Sequence, residues 1–409
     1  MPSKNIIVLG AGFGGLRAAT QIANELKRLG LDKYRVVLVD RSDCHLYTPL
    51  LYMIAASPDS TKEICTYDIS SLIKNLPIDF VQNEVVKIDL PNGDVHVKNG
   101  APIKADFLLI ALGSETNYFG IPRLKENSLQ LKTVENAMQI KIAVTDALKK
   151  GGKIKIVVGG AGATGIELAA EIRRWANHAE YENKNTRVAV SIIEAMPTVL
   201  PGLNEKVIRG TTKRLEKLGV AVSLGMKIIS VAPREITLDG GKKMPFDVFI
   251  WTGGIKSPEL LLSLPLQKDR RGKIIAQNAM ACLPARADLK LYPMIYGLGD
   301  NVCFMNPETN KPVPAVARAA ISQADVVAHN IVEEIKQSEF ENYKLKIENY
   351  IPYEYPYVIL VGGKWAIAKI GPLIISGFFG WILKGLVELN YLRSIMPIWR
   401  AIKIWLKGL

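Results

Sequence analysis

The sequence predicts an α/β fold of two similar domains, one inserted in the other, followed by an amphipathic C-terminal segment. Two glycine-rich turns of one design, starting at Gly10 and Gly160, carry this prediction. Each turn follows an apolar strand, at 6–9 or at 154–158, and opens a predicted helix. In both copies the next predicted strand ends on an acidic residue. This repeated strand–turn–helix–strand order predicts parallel sheets.

Both turns have the spacing G-x-G-x-x-G that is typical of Rossmann-type dinucleotide-binding domains. In that setting the first glycine makes the turn, the second lets the backbone approach a pyrophosphate, and the third lets the helix pack on the strand. The helix N-terminus offers unpaired N–H groups to the phosphates. Asp40 and Glu194 end the second strands, where an acidic side chain accepts hydrogen bonds from a ribose. A structural turn would explain one such motif, but the matched pair predicts two bound dinucleotides.

A second repeat also indicates a duplicated domain. Residues 105–113 and 246–254 share an aspartate, a buried apolar strand and a turn of small residues. Solenoid repeats are much shorter than this separation, so a solenoid is not favoured. A third strand of this kind, at 294–300, ends on Asp300, and residues 89–94 have the composition of a hairpin turn.

The two turns and four longer stretches resemble type II NADH dehydrogenases, which are single-subunit, non-proton-pumping NADH:quinone oxidoreductases of the two-dinucleotide flavoprotein reductase superfamily. The four stretches are residues 45–52, 159–167, 194–202 and 251–254. The resemblance covers nearly the whole chain. It implies that NADH gives a hydride to FAD and that the electrons then pass to a quinone of the respiratory chain.

The resemblance also implies a domain organisation. The FAD-binding domain would comprise residues 1–114 and 285–340, with the NADH-binding domain, 115–284, inserted in it. Residues 350–409 would form a C-terminal membrane-anchoring region.

Site residues follow from the same resemblance. The residues expected to bind FAD lie in the first turn and in later loops: Gly10, Gly12, Phe13, Gly14, Gly15, Asp40, Arg41, Pro49, Leu50, Val86, Ala111, Gly113, Asp300 and Ala317. The residues expected to bind NADH are Gly160, Gly162, Ala163, Thr164, Gly165, Glu194 and Gly253. Glu194 favours NADH over NADPH, because a carboxylate would repel a 2′-phosphate and no arginine adjoins it.

Three residues are candidates for catalysis: Glu167, Arg318 and Ser322. In the family the glutamate is linked to nicotinamide placement and proton transfer. We expect Glu167 on the first turn of its helix, where a carboxylate could also merely complement the helix dipole.

Arg318 and Ser322 replace the two glutamines of the family pattern A-Q-x-A-x-Q on the helix that lines the quinone site. Gln323 does not substitute, since one residue turns a helical side chain by about 100°. A cation at position 318 could stabilise an anionic flavin or quinol, or it could mark a different acceptor.

The cysteines limit the alternatives. None of Cys44, Cys65, Cys282 and Cys303 forms the C-x-x-C or C-x-x-x-x-C of flavin disulfide reductases. Sulfide:quinone oxidoreductases, which are close relatives, use cysteines in the second domain and ahead of the C-terminal tail, and no cysteine lies here between Cys65 and Cys282. Cys282 and Cys303 could lie close in space as a catalytic pair, but we expect them to be small buried residues. An oxidoreductase with another donor or acceptor and an NADH-sensing flavoprotein that signals to a partner remain open. The histidines have no metal-ligand spacing, so no metal is expected, and His45 is interpreted as structural.

The charge balance predicts a lipid partner. A hydrophobic content of 48% and a charged content of 22% are globular values, but the net charge of +13 is high. No arginine-rich tract or zinc-binding spacing favours nucleic acid. Beyond Tyr350 lysines and arginines prevail, and Trp365, Trp381, Trp399 and Trp405 accompany them, as is typical of a bilayer interface.

The C-terminus is predicted to lie on the membrane and not to cross it. The longest uncharged run, Ile370 to Leu383, is shorter than the ~20 residues of a spanning helix. The apolar residues of the last stretch recur at helical spacing opposite basic ones, with Pro397 in the first turn. They are Ile395, Ile398, Trp399, Ile402, Trp405, Leu406 and Leu409, and the basic residues are Arg400, Lys403 and Lys407.

Packing of this helix on the core or on a second subunit is the alternative, and a homodimer is expected. No signal peptide precedes Ile6 of the first strand, so we expect a peripheral protein on the cytoplasmic side of the cell membrane.

Overall fold

The structure, a computed structural model, describes residues 4–289 and 294–408. Its helices are α1 (Phe13–Leu29), α2 (Leu51–Ala56), α3 (Ile69–Ile73), α4 (Val134–Lys150), α5 (Ala163–Glu182), α6 (Glu205–Leu218), α7 (Glu259–Leu262), α8 (Ala317–Glu339), α9 (Phe378–Ile395) and α10 (Ile398–Lys407). Short 3₁₀ turns lie at Thr48–Leu50, Lys62–Ile64, Asp239–Gly241 and Gly299–Asn301.

The chain divides into two compact units. Unit 1 comprises Met1–Leu46, Tyr67–Glu115 and Ile255–Tyr355. Unit 2 comprises Tyr47–Thr66, Thr116–Gly254 and Pro356–Leu409. The predicted domain ranges stay a prediction.

Unit 1 is built on a parallel five-stranded sheet. Its strands, in spatial order, are Met294–Gly297, Phe107–Ile110, Lys4–Leu9, Tyr34–Asp40 and Ile78–Gln82. The central strand is apolar and fully buried from Ile6 to Leu9, as expected of a parallel strand covered on both faces. Helices α1 and α8 pack together, with an Arg17–Asp325 ion pair between them.

Unit 2 contains a parallel sheet of the same order. Its strands are Leu129–Gln130, Val248–Trp251, Lys153–Gly159, Arg187–Ile193 and Val220–Ser223. In each unit the strand before the glycine-rich turn is central, and the strand of the second repeat lies beside it. The predicted α/β fold with parallel sheets is therefore confirmed.

The aspartates of the second repeat have a structural explanation. Asp106 accepts a hydrogen bond from the Asn5 N–H at 2.8 Å and donates its own N–H to the Asn5 carbonyl at 2.9 Å. Asp247 makes the same pair of bonds with Lys155, both at 2.8 Å. Each aspartate thus ties the start of its strand to the start of the central strand.

Each unit also carries a small antiparallel sheet. In unit 1 it comprises Val85–Asp89, Asp94–Val97 and Ile103–Lys104, which confirms the hairpin predicted at 89–94. In unit 2 it comprises Ile228–Ala232, Glu235–Leu238 and Lys243–Pro245. The remaining short strands are Cys44–Leu46, Thr66–Asp68, Glu115–Thr116, Ile255–Lys256, Ile274–Ile275, Val302–Cys303, Met305–Asn306 and Lys311–Pro312.

The C-terminal part of unit 2 forms another three-stranded antiparallel sheet and two helices. The strands are Tyr357–Leu360, Ala366–Ile370 and Leu373–Gly377. Helix α9 packs on this sheet, where a Cβ at Gly380 would collide with the Ala366 carbonyl oxygen. Within the described ranges no helix is long and apolar enough to cross a membrane.

The amphipathic helix predicted at the C-terminus is shorter than expected. Ile395 ends α9, and Met396 is extended, so Ile395 does not belong to the last helix. Pro397 occupies the N-cap, one residue before the first helical position. A proline there breaks the continuity between α9 and α10 because it lacks an N–H. Leu409 lies outside the described residues.

Candidate functional site

The first glycine-rich turn has the geometry of a pyrophosphate cradle. Gly10 has a φ of +98°, and a Cβ there would meet the Ala111 backbone. A Cβ at Gly15 would collide with the Gly10 carbonyl oxygen, so helix and strand can approach only without a side chain. Around Gly12 nothing lies within 4 Å of such a Cβ, which leaves the backbone open to a ligand. We call residues 10–15, Asp40 and Ala111 the first cradle.

The second cradle, formed by residues 160–165, Glu194 and Gly253, repeats this geometry. Gly160 has a φ of +106° and lies against the Gly253 backbone. A Cβ at Gly165 would collide with the Gly160 carbonyl oxygen, whereas Gly162 is open. Thr252 adds a bond, since its hydroxyl donates to the Gly159 carbonyl at 3.0 Å. Both cradles therefore fit a dinucleotide.

Asp40 and Glu194 make identical contacts. Asp40 accepts the Ala11 N–H at 2.6 Å, and Glu194 accepts the Ala161 N–H at 2.6 Å. The second oxygen of each accepts an N–H two residues further along the chain, at 2.9 Å. The acidic residue thus closes its own turn, a role that sequence reasoning missed. A carboxylate has about four lone-pair sites, so both retain capacity to bind a ribose.

Two residues near the first cradle join loops that are distant in sequence. The Gly113 N–H donates to the Asn301 side chain at 3.1 Å, and the Ser114 hydroxyl donates to Asp300 at 2.9 Å. Asn301 is fully buried and also donates to the Ile110 carbonyl. The sequence predicted Gly113 and Asp300 as residues that bind FAD, which stays a prediction, and Asn301 was missed although it directly follows Asp300.

The other residues predicted to bind FAD occupy varied positions. Phe13 is the first residue of α1, and Ala317 is the first of α8. Arg41 is exposed, as is Val86 on its antiparallel strand. Pro49 and Leu50 belong to unit 2, in the 3₁₀ turn Thr48–Leu50. Gly14 packs against α8, and Ala163 and Thr164 open α5. Their roles stay predictions.

His45 is a structural residue, as interpreted. It is buried, its Nδ1 lies 2.8 Å from the Ala11 carbonyl oxygen, and its ring packs on Phe13 and Tyr67. Burial lowers the pKa of its imidazole, so the ring is neutral at pH 7.

Glu167 lies within α5, and its catalytic role stays a prediction. Because α5 begins at Ala163, Glu167 is its fifth residue and lies beyond the first turn in which we expected it. Its Oε1 accepts the Leu360 N–H at 3.3 Å. Burial raises the pKa of this carboxyl to about 8; Lys384 opposes the rise, and Glu388 adds to it.

The surroundings of Glu167 were not anticipated. Lys384 and Glu388 form an ion pair on α9, and the Lys384 ammonium lies 5.5 Å from the centre of the Tyr52 ring. Burial raises the pKa of the Tyr52 hydroxyl well above its ordinary value, and Glu167 adds to the rise. The i,i+4 spacing of the ion pair was readable from the sequence, but its burial was not.

Arg318 and Ser322 have different surroundings on α8. Arg318 is exposed on the first turn. The Ser322 hydroxyl lies 3.0 Å from the Tyr355 hydroxyl. Gln323 points elsewhere: it is buried, and its carbonyl accepts the Gly299 N–H at 2.7 Å. Because Arg318 and Ser322 are four residues apart on α8, they lie on the same face of the helix, and their catalytic roles stay predictions.

The cysteines are not joined by disulfides. Burial raises the pKa of Cys65 and of Cys282 to about 12, and it also raises that of Cys303. Thiols of this kind are poor nucleophiles near neutral pH. Within residues 4–289 and 294–408 no cluster of His, Cys, Asp or Glu could hold a metal ion.

Comparison with known proteins agrees with this geometry. The model of the pyridine nucleotide-disulphide oxidoreductase family matches residues 4–324. Type II NADH:quinone oxidoreductase Ndh of Mycobacterium tuberculosis is 28% identical over 414 residues, which cover 95% of this chain and 84% of that protein. The type II NADH:quinone oxidoreductase of Staphylococcus saprophyticus is 26% identical over 356 residues, covering 83% and 85%. The predicted resemblance is confirmed.

Solved structures share the fold. NDH2 from Plasmodium falciparum in complex with NADH has a TM-score of 0.83 at 17% identity and covers 99% of this chain and 97% of its own. The sulfide:quinone oxidoreductase from Aquifex aeolicus has a TM-score of 0.77 at 17% identity, with coverages of 96% and 91%.

Proposed function

We propose that this chain, which belongs to the pyridine nucleotide-disulphide oxidoreductase family, is a flavoprotein that oxidises NADH and reduces a membrane quinone. The observation that carries the proposal is the pair of matching cradles in one chain, each closed by an acidic side chain. When bound, FAD would supply the redox chemistry, by accepting a hydride from NADH and passing electrons to the quinone.

The two cradles divide the binding work. The backbone around Gly12 and the helix α1 N-terminus would hold the FAD pyrophosphate, with Asp40 at the adenosine ribose. Gly162, α5 and Glu194 would do the same for NADH. Because Glu194 carries a charge that repels a 2′-phosphate, the chain selects NADH over NADPH.

Glu167 binds and releases a proton during turnover. With a pKa of about 8 the carboxyl is mostly protonated at neutral pH, so it can donate a hydrogen bond and also exchange its proton near working pH. Lys384 favours the ionised form, which keeps the proton transferable.

The electron acceptor in this proposal is a quinone. The relatives from two bacteria carry NADH:quinone oxidoreductase names. Arg318 presents an exposed cation at the start of α8, where it can stabilise negative charge on a reduced acceptor. Sulfide as donor is not favoured, because the raised pKa values of Cys282 and Cys303 keep both as thiols.

Quinone reaches the protein from the membrane, to whose surface α10 binds. Trp399 and Leu406 are 69% and 60% exposed, and Ile398 and Ile402 are exposed beside them. Large apolar side chains left on one helix face are typical of an interfacial helix, and the net charge of +13 favours anionic lipid. We propose a homodimer bound peripherally to the cytoplasmic side of the cell membrane.

Membrane binding is tested by the double change Trp399→Ser and Leu406→Ser. Because both side chains are exposed, the fold should be unaffected and co-sedimentation with anionic vesicles should be lost. Tyr181→Ser, at an exposed aromatic of α5, is the matched control. A double variant that still sediments with vesicles would exclude α10 as the anchor.

The function is tested by mixing the FAD-loaded protein anaerobically with NADH and then with a short-chain quinone. Flavin bleaching followed by quinone-driven recovery is expected. Bleaching without recovery would support NADH oxidation by the flavin and would exclude quinone as the electron acceptor. Bleaching by sulfide and not by NADH would refute the proposal.

A further inference from the structure

An aromatic residue beside the second cradle has an unusual backbone conformation. Phe119 has a φ of +51°, in the left-handed region that few non-glycine residues adopt. Its side chain is nevertheless 61% exposed, so core packing does not account for the conformation. Strained positions of this kind persist only where surrounding contacts hold them, and they concentrate at ligand sites.

The contacts that hold Phe119 come from its own loop and from the end of a sheet strand. The Phe119 N–H donates to the Asn117 side chain at 2.8 Å. The Asn117 N–H donates to the Gly254 carbonyl at 3.0 Å, and the Trp251 indole N–H donates to the Asn117 carbonyl at 2.8 Å. The Phe119 ring meets the Trp251 ring edge-on, with centroids 6.4 Å apart.

A continuous series of close contacts connects this ring to the second cradle. A Cβ at Gly254 would lie 2.9 Å from the Phe119 ring. The preceding residue, Gly253, packs against Gly160, where a Cβ would lie 2.8 Å from the Gly253 Cα. The glycines therefore let the exposed ring lie next to the cradle without an intervening side chain.

The sheet order indicates which half of a dinucleotide lies there. Strand Lys153–Gly159, which leads into the cradle, lies between Arg187–Ile193 and Val248–Trp251. Glu194, after the first of these neighbours, marks the adenosine ribose side. With the pyrophosphate at the α5 N-terminus, the other half of an extended dinucleotide passes over the end of Val248–Trp251.

We propose that Phe119 is a stacking platform for the nicotinamide half of NADH, held in place by Asn117 and Trp251. This inference rests on the proposed function, because it assigns NADH to the second cradle. A flat, pre-positioned ring gains contact with a planar ligand without losing much side-chain freedom on binding. The fixed αL backbone keeps the ring in that position before the ligand arrives.

The test compares two ligands on the FAD-loaded protein by calorimetry: NAD⁺, and ADP-ribose, which lacks nicotinamide. Phe119→Ala should weaken NAD⁺ binding about tenfold or more, as stacked aromatic–base contacts do on truncation, and change ADP-ribose binding less than twofold. Phe119→Trp should retain NAD⁺ affinity. Tyr181→Ala, a change at a 74% exposed aromatic at the far end of α5, should leave both ligands unaffected.

The variant Phe119→Gly distinguishes a loss of ring stacking from a loss of folding stability. Glycine adopts a positive φ without strain, so this variant should unfold at the same or a higher temperature and still lose NAD⁺ affinity. Equal loss of both ligands, or unchanged NAD⁺ affinity in Phe119→Ala, would overturn the inference and leave the proposed function intact. A wild-type protein that binds neither ligand would overturn both.

Discussion

Replacing Glu167 by glutamine should make the protein more stable and less active at the same time. The amide keeps the size of the side chain but cannot ionise. We expect FAD to stay bound and turnover to slow at least tenfold, because the exchangeable proton is lost. The gain in stability follows from the ionisation of Glu167 in the folded and unfolded chains.

The magnitude follows from the two pKa values. The carboxyl has a pKa of about 8 in the folded chain and an ordinary value of 4.5. The folded chain binds the proton more tightly, so this stabilisation is complete below the lower value and is lost as the pH rises through the upper one. At ~1.4 kcal/mol per pH unit, the free energy of unfolding of the wild type should fall by roughly 2 kcal/mol between about pH 5.5 and pH 7. In Glu167→Gln this contribution to the fall in the free energy of unfolding is absent, because the amide does not ionise.

Thermal unfolding of both proteins at these two pH values is the assay. The gap in melting temperature between Glu167→Gln and wild type should widen toward pH 7. Glu182→Gln, at an exposed carboxylate of the same helix, should show no such gap. If the two melting curves shift in parallel with pH and turnover is unchanged, the assignment of a buried, proton-exchanging carboxyl is refuted.

Four further substitutions test the cradles and the thiols. Gly165→Ala should abolish NADH binding and leave FAD bound, since the added Cβ would collide with the Gly160 carbonyl oxygen; retained NADH affinity in calorimetry would contradict this. Wild type should prefer NADH to NADPH at least tenfold in kcat/KM, and Glu194→Gln should narrow that preference; equal use of both by wild type would contradict the role of the carboxylate. Cys282→Ser and Cys303→Ser should each keep turnover within twofold of the wild-type value. A larger loss would indicate that a thiol takes part in the reaction.

The cradles could be predicted from the sequence because their geometry depends on residue types that few others can replace. Gly10 and Gly160 need a positive φ, and Gly15 and Gly165 leave no room for a Cβ. Such steric demands leave a local signature at fixed spacing, whatever the rest of the chain does.

The C-terminal sheet could not be predicted in the same way. The uncharged run from Ile370 to Leu383 looks continuous by hydropathy, but it contains a turn, a strand and the start of a helix. Gly371 and Gly377, with φ values of +53° and +82°, divide it. Likewise the surroundings of Glu167 depend on Tyr52 and Lys384, which only the tertiary fold brings near, so no local pattern encodes its raised pKa.

The C-terminal sheet has a consequence for how shortened versions of the chain behave. Leu360 and Gly363 donate backbone N–H groups to Glu167 and Glu171 of α5, and Lys384 of α9 supplies the nearby cation. A chain cut before Pro356 would lose the groups that favour the ionised form of Glu167. Truncation would therefore alter both the acid–base chemistry of unit 2 and the lipid attachment that we propose, so lost activity in a truncated protein could not be attributed to detachment alone. Point changes confined to the exposed face of α10 separate the two effects.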